Sequence, residues 1–393
     1  VSRSLAAIAA VLAALAVGLY LGGHPAELPE PIRDAFVDDD TAVQATAADV
    51  IKENFSRSVS DDQLENGSLR GMIEALDDRF SRYFTPRQRT LFQQSIGGEF
   101  SGVGMTVVEH RRGLLVTGVF KGSPAARARI KPGELITAVN RRSIAGESSQ
   151  IATARIKGKP GTFVSLTVVR RGSDARRVVR IRRARIRIPV VEARLRRVSG
   201  KRLGVVALTS FTSGVHGQLR TRLNRLLRRG ADGLVLDLRQ NSGGLLDEAV
   251  LVSSLFVPNG VIVATKGRTR PRRVLRAAGQ AIRRKPLVVL VDRGTASAAE
   301  IVTAAVSERL GATVVGRRTF GKGVFGQVFP LPNGGAFDLT LGNYFTPEGR
   351  NLAGKGVSAD VRAADDPDTS RDEALERALR VLAVETERRP RTP

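Results

Sequence analysis

Residues 286–316, PLVVLVDRGTASAAEIVTAAVSERLGATVVG, decide the reading of the fold. The opening PLVVLV is a short apolar run that ends at the turn residues DRG, the pattern of a strand buried on both faces. ATVVG at 312–316 repeats it, and the stretch 298–310 between them reads as a helix. Strand, helix and strand in that order predict a βαβ unit, a parallel strand pair with a helix laid against it. Working upstream, LGVVAL (203–208) and GLVLDL (233–238) read as further buried strands, with helices predicted over 216–229 and 245–256. The span 188–365 is thus an α/β core with a largely parallel sheet. In such sheets sites collect where strands give way to helices. Two junctions are distinctive: DLRQNSGG at 237–244 and DRGTASAAE at 292–300.

Ahead of this core the text changes character. Over 97–187 short β-branched runs alternate with Gly and Pro turns, predicting a compact β-rich module with helices near 124–129 and 150–156. Residues 35–96 read as a helical lead-in, with helices at 41–55 and 61–76, and 366–393 as a C-terminal helix and tail. The chain is therefore a mixed α+β, multidomain protein. After Arg3, residues 4–23 (SLAAIAAVLAALAVGLYLGG) carry no charge and have about the length needed to cross a ~30 Å hydrocarbon core. Residues 1–34 are expected to be a membrane helix and a Pro-rich stalk. With Arg3 on the cytoplasmic side, the rest of the chain is extracytoplasmic. A retained anchor is preferred over a cleaved signal peptide, because no clean A-x-A site precedes His24.

Composition removes several chemistries. The chain has no cysteine, so thiolate catalysis and disulfides are excluded, and only three histidines, His24, His110 and His216. No H-E-x-x-H or similar ligand spacing occurs, so neither a metal nor another cofactor is expected. The net charge is +25, with much of the excess between 170 and 202, where arginines alternate with Val178, Ile181, Ile186 and Ile188. That pattern predicts strands with one solvated face. Aromatic residues make up only 5% and do not interleave with the arginines, which argues against nucleic acid as a partner.

Ser297 follows a buried strand and opens a helix. Ser297-Ala298-Ala299-Glu300 satisfies a capping box, a purely structural use of the serine. The same place suits a nucleophile, since amides at a helix start point toward a developing oxyanion. Lys322, in TFGKG, returns after one helix and one strand and can act as base only if desolvation brings its pKa down from ~10.4. Residues 316–322 also fit the G-x-x-x-x-G-K core of a P-loop. However, Gly323 stands where a Ser or Thr hydroxyl is needed, and a strand is predicted to follow where a P-loop opens a helix. A Ser-His-Asp arrangement would need His216, which reads more simply as an exposed first-turn residue. The glycines of Asn241-Ser242-Gly243-Gly244 permit the close backbone approach of an oxyanion hole.

These residues lie within a longer series of motifs. In order they are LDDRFSRYFTP (76–86), GEFSGVGM (98–105), VFKGSPAARARIKPGELITAVN (119–140), GLVLDLRQNSGGLLDEAV (233–250), VDRGTASAAEIV (291–302), VVGRRTFGKG (314–323) and YFTPEGRNLAGKGVSADV (344–361). Over roughly 75–361 the chain resembles the carboxy-terminal processing proteases, the tail-specific peptidases of bacteria and chloroplasts. The resemblance implies a Ser297–Lys322 dyad, with oxyanion amides from one glycine of the Gly243-Gly244 pair and from Ala298. It implies that 97–187 is a PDZ domain in which Gly102-Val103-Gly104-Met105 receives the carboxylate of a substrate tail bound as an added strand. Partners are then proteins or peptides with exposed C-termini, and the membrane through the N-terminal helix; a homo-oligomer stays open.

The sequence departs from the family in two places. The family often carries a glutamine four residues after the lysine, and here that position is Gly326, with Gln327 next. Either a local bulge lets Gln327 take the catalytic supporting role or the lysine is held differently. Thr295 and Ala299 stand where serines are common. The expected activity is serine endopeptidase. The alternative is a non-catalytic, membrane-anchored PDZ scaffold.

Overall fold

The computed structural model describes residues 39–147, 149–170, 175–187, 189–366 and 368–388. The expected membrane segment at 4–23, its stalk and the tail at 389–393 lie outside them. Among the described residues no helix is long and apolar enough to cross a membrane. The chain divides into two compact units, Val1–Thr85 and Pro86–Pro393.

In the first unit the two predicted helices are present as α1 (Asp39–Asn54) and α2 (Asp61–Glu74). A capping box between Ser60 and Gln63 starts α2, satisfying amides that the first helical turn leaves open. Strand β1 (Arg82–Phe84) follows, and the Tyr83 hydroxyl donates to Asn66 on α2 at 2.8 Å.

The second unit begins with α3 (Pro86–Gly97) and the β-rich module. There β2 (Glu99–Gly102) pairs with β9 (Ala184–Arg187). A separate antiparallel sheet runs in the order β3 (Met105–His110), β4 (Gly113–Val119), β5 (Leu135–Val139), β7 (Phe163–Val169), β8 (Arg176–Arg182), with β6 (Arg142–Ser143) beside β5. Helices α4 (Pro124–Arg127) and α5 (Ser149–Ile156) close its core of Leu114, Ile136, Ile144 and Leu166. Strand β8 has the expected solvated face, with Arg176, Val178, Arg180 and Arg182 exposed and Ile181 buried on the other side. Val178 is 68% exposed, whereas Arg177 turns inward to Glu134 and Arg183 is buried. The consecutive pairs Arg176-Arg177 and Val178-Val179 put one half-buried arginine on the inner face and one valine on the solvated one. Arg183 remains tolerable there because its guanidinium donates to the carbonyls of Arg155, Ile156 and Phe163.

The core sheet runs β10 (Val191–Val198), β11 (Lys201–Leu208), β12 (Gly233–Asp237), β15 (Leu287–Val291), β16 (Thr313–Gly316), β19 (Val361–Arg362). Every residue of β12 and β15 is buried, as expected of strands covered on both faces. Residues Leu234, Leu236, Val289 and Val314 face α6 (Val215–Arg228), α7 (Leu246–Ser254) and α8 (Ala298–Leu310). Their neighbours Val235, Val288, Leu290 and Val315 face α9 (Glu373–Arg388). The expected largely parallel sheet needs correction. Strands β11 to β19 are parallel, but β10 pairs antiparallel with β11. In addition β17 (Val324–Pro330), β18 (Ala336–Phe345), β13 (Val261–Gly267) and β14 (Arg273–Arg276) run antiparallel side by side. The pairs β10–β11, β13–β14 and β17–β18 are each joined by a short connection, which only antiparallel neighbours allow.

Candidate active site

Three loops leave the carboxyl ends of adjacent parallel strands: 238–245 after β12, 292–297 after β15 and 317–323 after β16. Hydrogen bonds tie them together. The Ala296 amide donates to the Asn241 carbonyl at 2.9 Å and the Phe320 amide to the Thr295 carbonyl at 2.9 Å. Asn241 is fully buried and its Nδ2 donates to the Leu208 carbonyl at 2.7 Å, fixing the first loop to the sheet. Behind it Arg239 bridges Asp237, Asp365 and Asp372, so the start of α9 is fastened to the same strand end. Burial alone would lower the Arg239 pKa, but the bonds to Asp237 and Asp372 outweigh it and raise it.

Ser297 sits at the entrance of α8 with φ 54° and ψ −117°. A non-glycine residue in that region costs on the order of 1–3 kcal/mol and persists only when its surroundings impose it. The imposing group is Glu300. Its buried carboxylate accepts the Ser297 amide at 2.8 Å, the Lys322 amide at 2.9 Å, the Gly321 amide at 2.7 Å and the Thr319 hydroxyl at 2.5 Å. The glutamate half of the expected capping box is present, but this side chain does more than cap. One carboxylate oxygen holds the backbones of Ser297 and Lys322 together. Burial raises the Glu300 pKa, and its four hydrogen-bond donors oppose that rise.

A second side chain reaches the serine from another element. Tyr344, near the end of β18, is 5% exposed, and its phenol lies close enough to the Ser297 side chain for the two to interact. Burial pushes the phenol well above its usual range, against the effect of that interaction. The Tyr344 amide donates to the Gly323 carbonyl at 2.7 Å, so the same residue touches both loops.

Of the glycine pair, Gly243 packs directly under the serine. With φ 104°, a Cβ there would lie 2.8 Å from Ser297 Cβ and 3.1 Å from the Ala298 nitrogen. Only glycine permits that approach. Its amide is engaged, however, donating to Asn241 Oδ1 at 2.9 Å. Among the described residues the Gly244 and Ala298 amides have no hydrogen-bond partner.

Lys322 is half-buried. The β17–β18 pairing shifts register between Phe325 and Gly326, the extra residue being Leu341 on β18. Gln327 is exposed, with Oε1 3.5 Å from Arg270. His216 is not the exposed residue expected. It is half-buried, with Nδ1 2.9 Å from Glu248, whose carboxylate also accepts the Gly214 and His216 amides.

In the β-rich module Gly102 ends β2, Val103 is buried and Met105 starts β3. The Val103 carbonyl accepts the Ala125 amide at 2.8 Å, and the Gly104 carbonyl accepts the Phe120 amide and the Ser123 hydroxyl. Strand β3 is an edge of its sheet, with α5 packed beside it. An edge strand beside a helix can take an extended peptide. Sequence reasoning missed Glu300 as a brace and Tyr344 altogether. The former was visible only as half of a capping box, and the latter only as the first residue of YFTPEGR.

Comparison with known proteins agrees with this architecture. Residues 202–363 match peptidase family S41, 101–180 match the PDZ domain, and 35–87 match the activating protease CtpB N-terminal domain. The chain is 35% identical over 318 residues to the carboxy-terminal processing protease CtpA of Bacillus subtilis (strain 168), covering 81% of this chain and 67% of that protein. It is 33% identical over 315 residues to a probable CtpA-like serine protease of Staphylococcus aureus (strain bovine RF122 / ET3-1), covering 79% of this chain but only 62% of that one. Among solved structures it resembles a photosystem II D1 C-terminal processing protease, with a TM-score of 0.51, 28% identity, and coverage of 86% and 90% of the two chains. The chain belongs to the carboxy-terminal processing proteases of peptidase family S41.

Proposed function

We propose that the protein is a serine endopeptidase that cuts proteins or unstructured C-terminal tails, with Ser297 as nucleophile and Lys322 as general base. The observation that carries this reading is the shared Glu300 carboxylate, which draws the Ser297 and Lys322 amides to one oxygen and holds Ser297 in a strained backbone geometry. Strain of this kind at a strand-to-helix turn suits an exposed nucleophile. In the proposed reaction neutral Lys322 Nζ takes the proton from Ser297 Oγ as Oγ bonds to the substrate carbonyl carbon. The resulting oxyanion is received by the amides of Gly244 and Ala298, since Gly243 gives its own to Asn241. Lys322 then protonates the leaving amine as the C–N bond breaks. Water, deprotonated by the same lysine, attacks the acyl-enzyme; as the acyl–Oγ bond breaks, Lys322 returns that proton to Ser297 Oγ and the new C-terminus leaves. Tyr344, buried beside the serine, would help to position its hydroxyl. The PDZ module would receive the tail on the free edge of β3, with the amides around Gly104 toward its carboxylate. Gln327 has no place in this scheme, because its side chain is turned to Arg270.

The test is hydrolysis of an unstructured tail peptide by the purified protein. Ser297→Ala and Lys322→Ala should each lower kcat by at least about 10³-fold with unchanged melting behaviour. Full activity in either variant would reject the dyad. A folded wild type that binds tails without cutting them would leave the non-catalytic scaffold instead.

A further inference from the structure

Beside the candidate dyad lies an open cleft of about 940 Å³. Arg293, Arg317, Arg318 and Arg362 line it, together with Thr319 and Phe320, and no carboxylate does. All four arginines are exposed. Elsewhere some arginines, such as Arg177, Arg239, Arg350 and Arg371, pair with Glu134, Asp237, Glu308 and Glu376, while others, such as Arg196 and Arg197, have no such partner among the described residues. What sets the cleft apart is that four arginines share one concave wall. Among the described residues none of the four cleft arginines has such a partner. Nearby carboxylates in sequence have other contacts: Asp365 pairs with Arg239, and Asp366 accepts the Asp368 amide. Asp292 accepts from the Gln240 and Gly294 amides and Asp360 from the Val314 amide.

The cleft shares its wall with the catalytic loops. Arg317 and Arg318 precede Lys322 on one loop, and Arg293 precedes Ser297 on another. Thr319 donates to Glu300, and the Phe320 amide donates to the Thr295 carbonyl. The loops that carry Ser297 and Lys322 thus also supply arginines to the cleft. Guanidinium groups match carboxylates as planar forks, and a concave wall bearing one sign of charge concentrates its potential. Phe320 is the only aromatic in the lining, so a stack of bases finds no platform.

We propose that this cleft binds an acidic segment of the polypeptide being cut, making aspartate- and glutamate-rich stretches next to the scissile bond the preferred substrate class. The proposal rests on the endopeptidase reading above, but the site can be tested apart from it. The Ser297→Ala protein is titrated with two fluorescein-labelled peptides that share one tail and differ only in carrying either four acidic residues or four serines. The acidic peptide should bind about tenfold tighter at low salt, and the advantage should shrink as added salt shortens the Debye length toward ~8 Å. The advantage should vanish in the same protein carrying Arg317→Ala and Arg318→Ala. In the active enzyme the acidic-to-serine ratio of kcat/KM should fall in parallel.

Equal binding of the two peptides would overturn the proposal. So would a preference that survives when all four arginines are replaced by alanine, or equal displacement of the acidic peptide by an oligodeoxynucleotide of matched charge. Arginine-dependent binding with no cleavage of either peptide by the unmodified protein would keep the cleft and sink the endopeptidase reading. Cleavage of both peptides at the same kcat/KM would do the reverse.

Discussion

Glu300 is under two opposed demands. Burial favours its neutral form, while four donors converging on its oxygens favour the anion. A glutamine in its place keeps the size but turns an NH2 group toward one of those donors, and each buried mismatch costs about 1–3 kcal/mol. Glu300→Gln should therefore lower kcat by about 10²-fold or more with little change in KM, because it disturbs the relative placement of Ser297 and Lys322 rather than the peptide groove. The pH dependence of stability follows from the direction of the shift. With the native pKa above the unfolded value of ~4.3, the contribution of this group is full below ~4.3 and is lost as pH rises through the native pKa. The glutamine does not titrate, so the gap in Tm between wild type and Glu300→Gln should narrow across that window. A gap that widens with rising pH would contradict the raised pKa. Ser297 and Lys322 were legible in the sequence because each sits in a contiguous motif. Glu300 was legible only as a local cap, since its contacts with 319–322 arise after the chain has passed through α8 and β16. Tyr344 stands first in the YFTPEGR motif, but nothing local to it marks a partner 47 residues upstream.

At the level of elements, the buried strands were readable because nothing interrupts their apolar runs, and the helices between them because their apolar spacing is regular. The antiparallel strands β17 and β18 were harder. Their residues are mostly half-buried, glycines at 326 and 342 interrupt them, and their pairing carries a register shift that no composition announces. The C-terminal helix shows what a sheet buried on both faces requires. Leu375, Leu379 and Leu382 of α9 cover the face formed by Leu203, Val205, Val235, Val288 and Leu290, with Leu382 wholly inaccessible. Leu382→Ala should destabilise the second unit by about 2–5 kcal/mol in a chemical denaturation experiment, the range for a buried leucine whose cavity cannot collapse. Val178→Thr, on the exposed side of β8, should stay within about 0.5 kcal/mol. Equal effects from the two would mean that α9 does not seal the sheet.

For the whole molecule the proposed reading asks how a tail bound on the β-rich module would be presented to the core, and the loop at Gly104 gives a way to test it. Gly104 has φ 81°, and a Cβ there would come within 2.4 Å of Ser123 Cβ. Ser123 cannot retreat freely. It is buried, donates to the Gly104 carbonyl at 2.9 Å and accepts the Ala126 amide at 3.1 Å as the cap of α4. A side chain at 104 must therefore shift the loop or the helix start, at a cost of about 1–3 kcal/mol, and either movement turns the amides away from a tail carboxylate. If that carboxylate is what the module reads, the wild type should cut a peptide with a free C-terminus several-fold faster than its amidated twin at concentrations below KM. Gly104→Val should reduce the ratio to about one by raising KM for the free acid alone, because the dyad lies on loops that this substitution does not touch. A ratio that stays high in Gly104→Val would place tail recognition elsewhere, and the arginine cleft, which also favours carboxylates, would be the first region to substitute next. A wild-type ratio of one would mean that the module holds its peptide by main-chain pairing along β3 without reading its end.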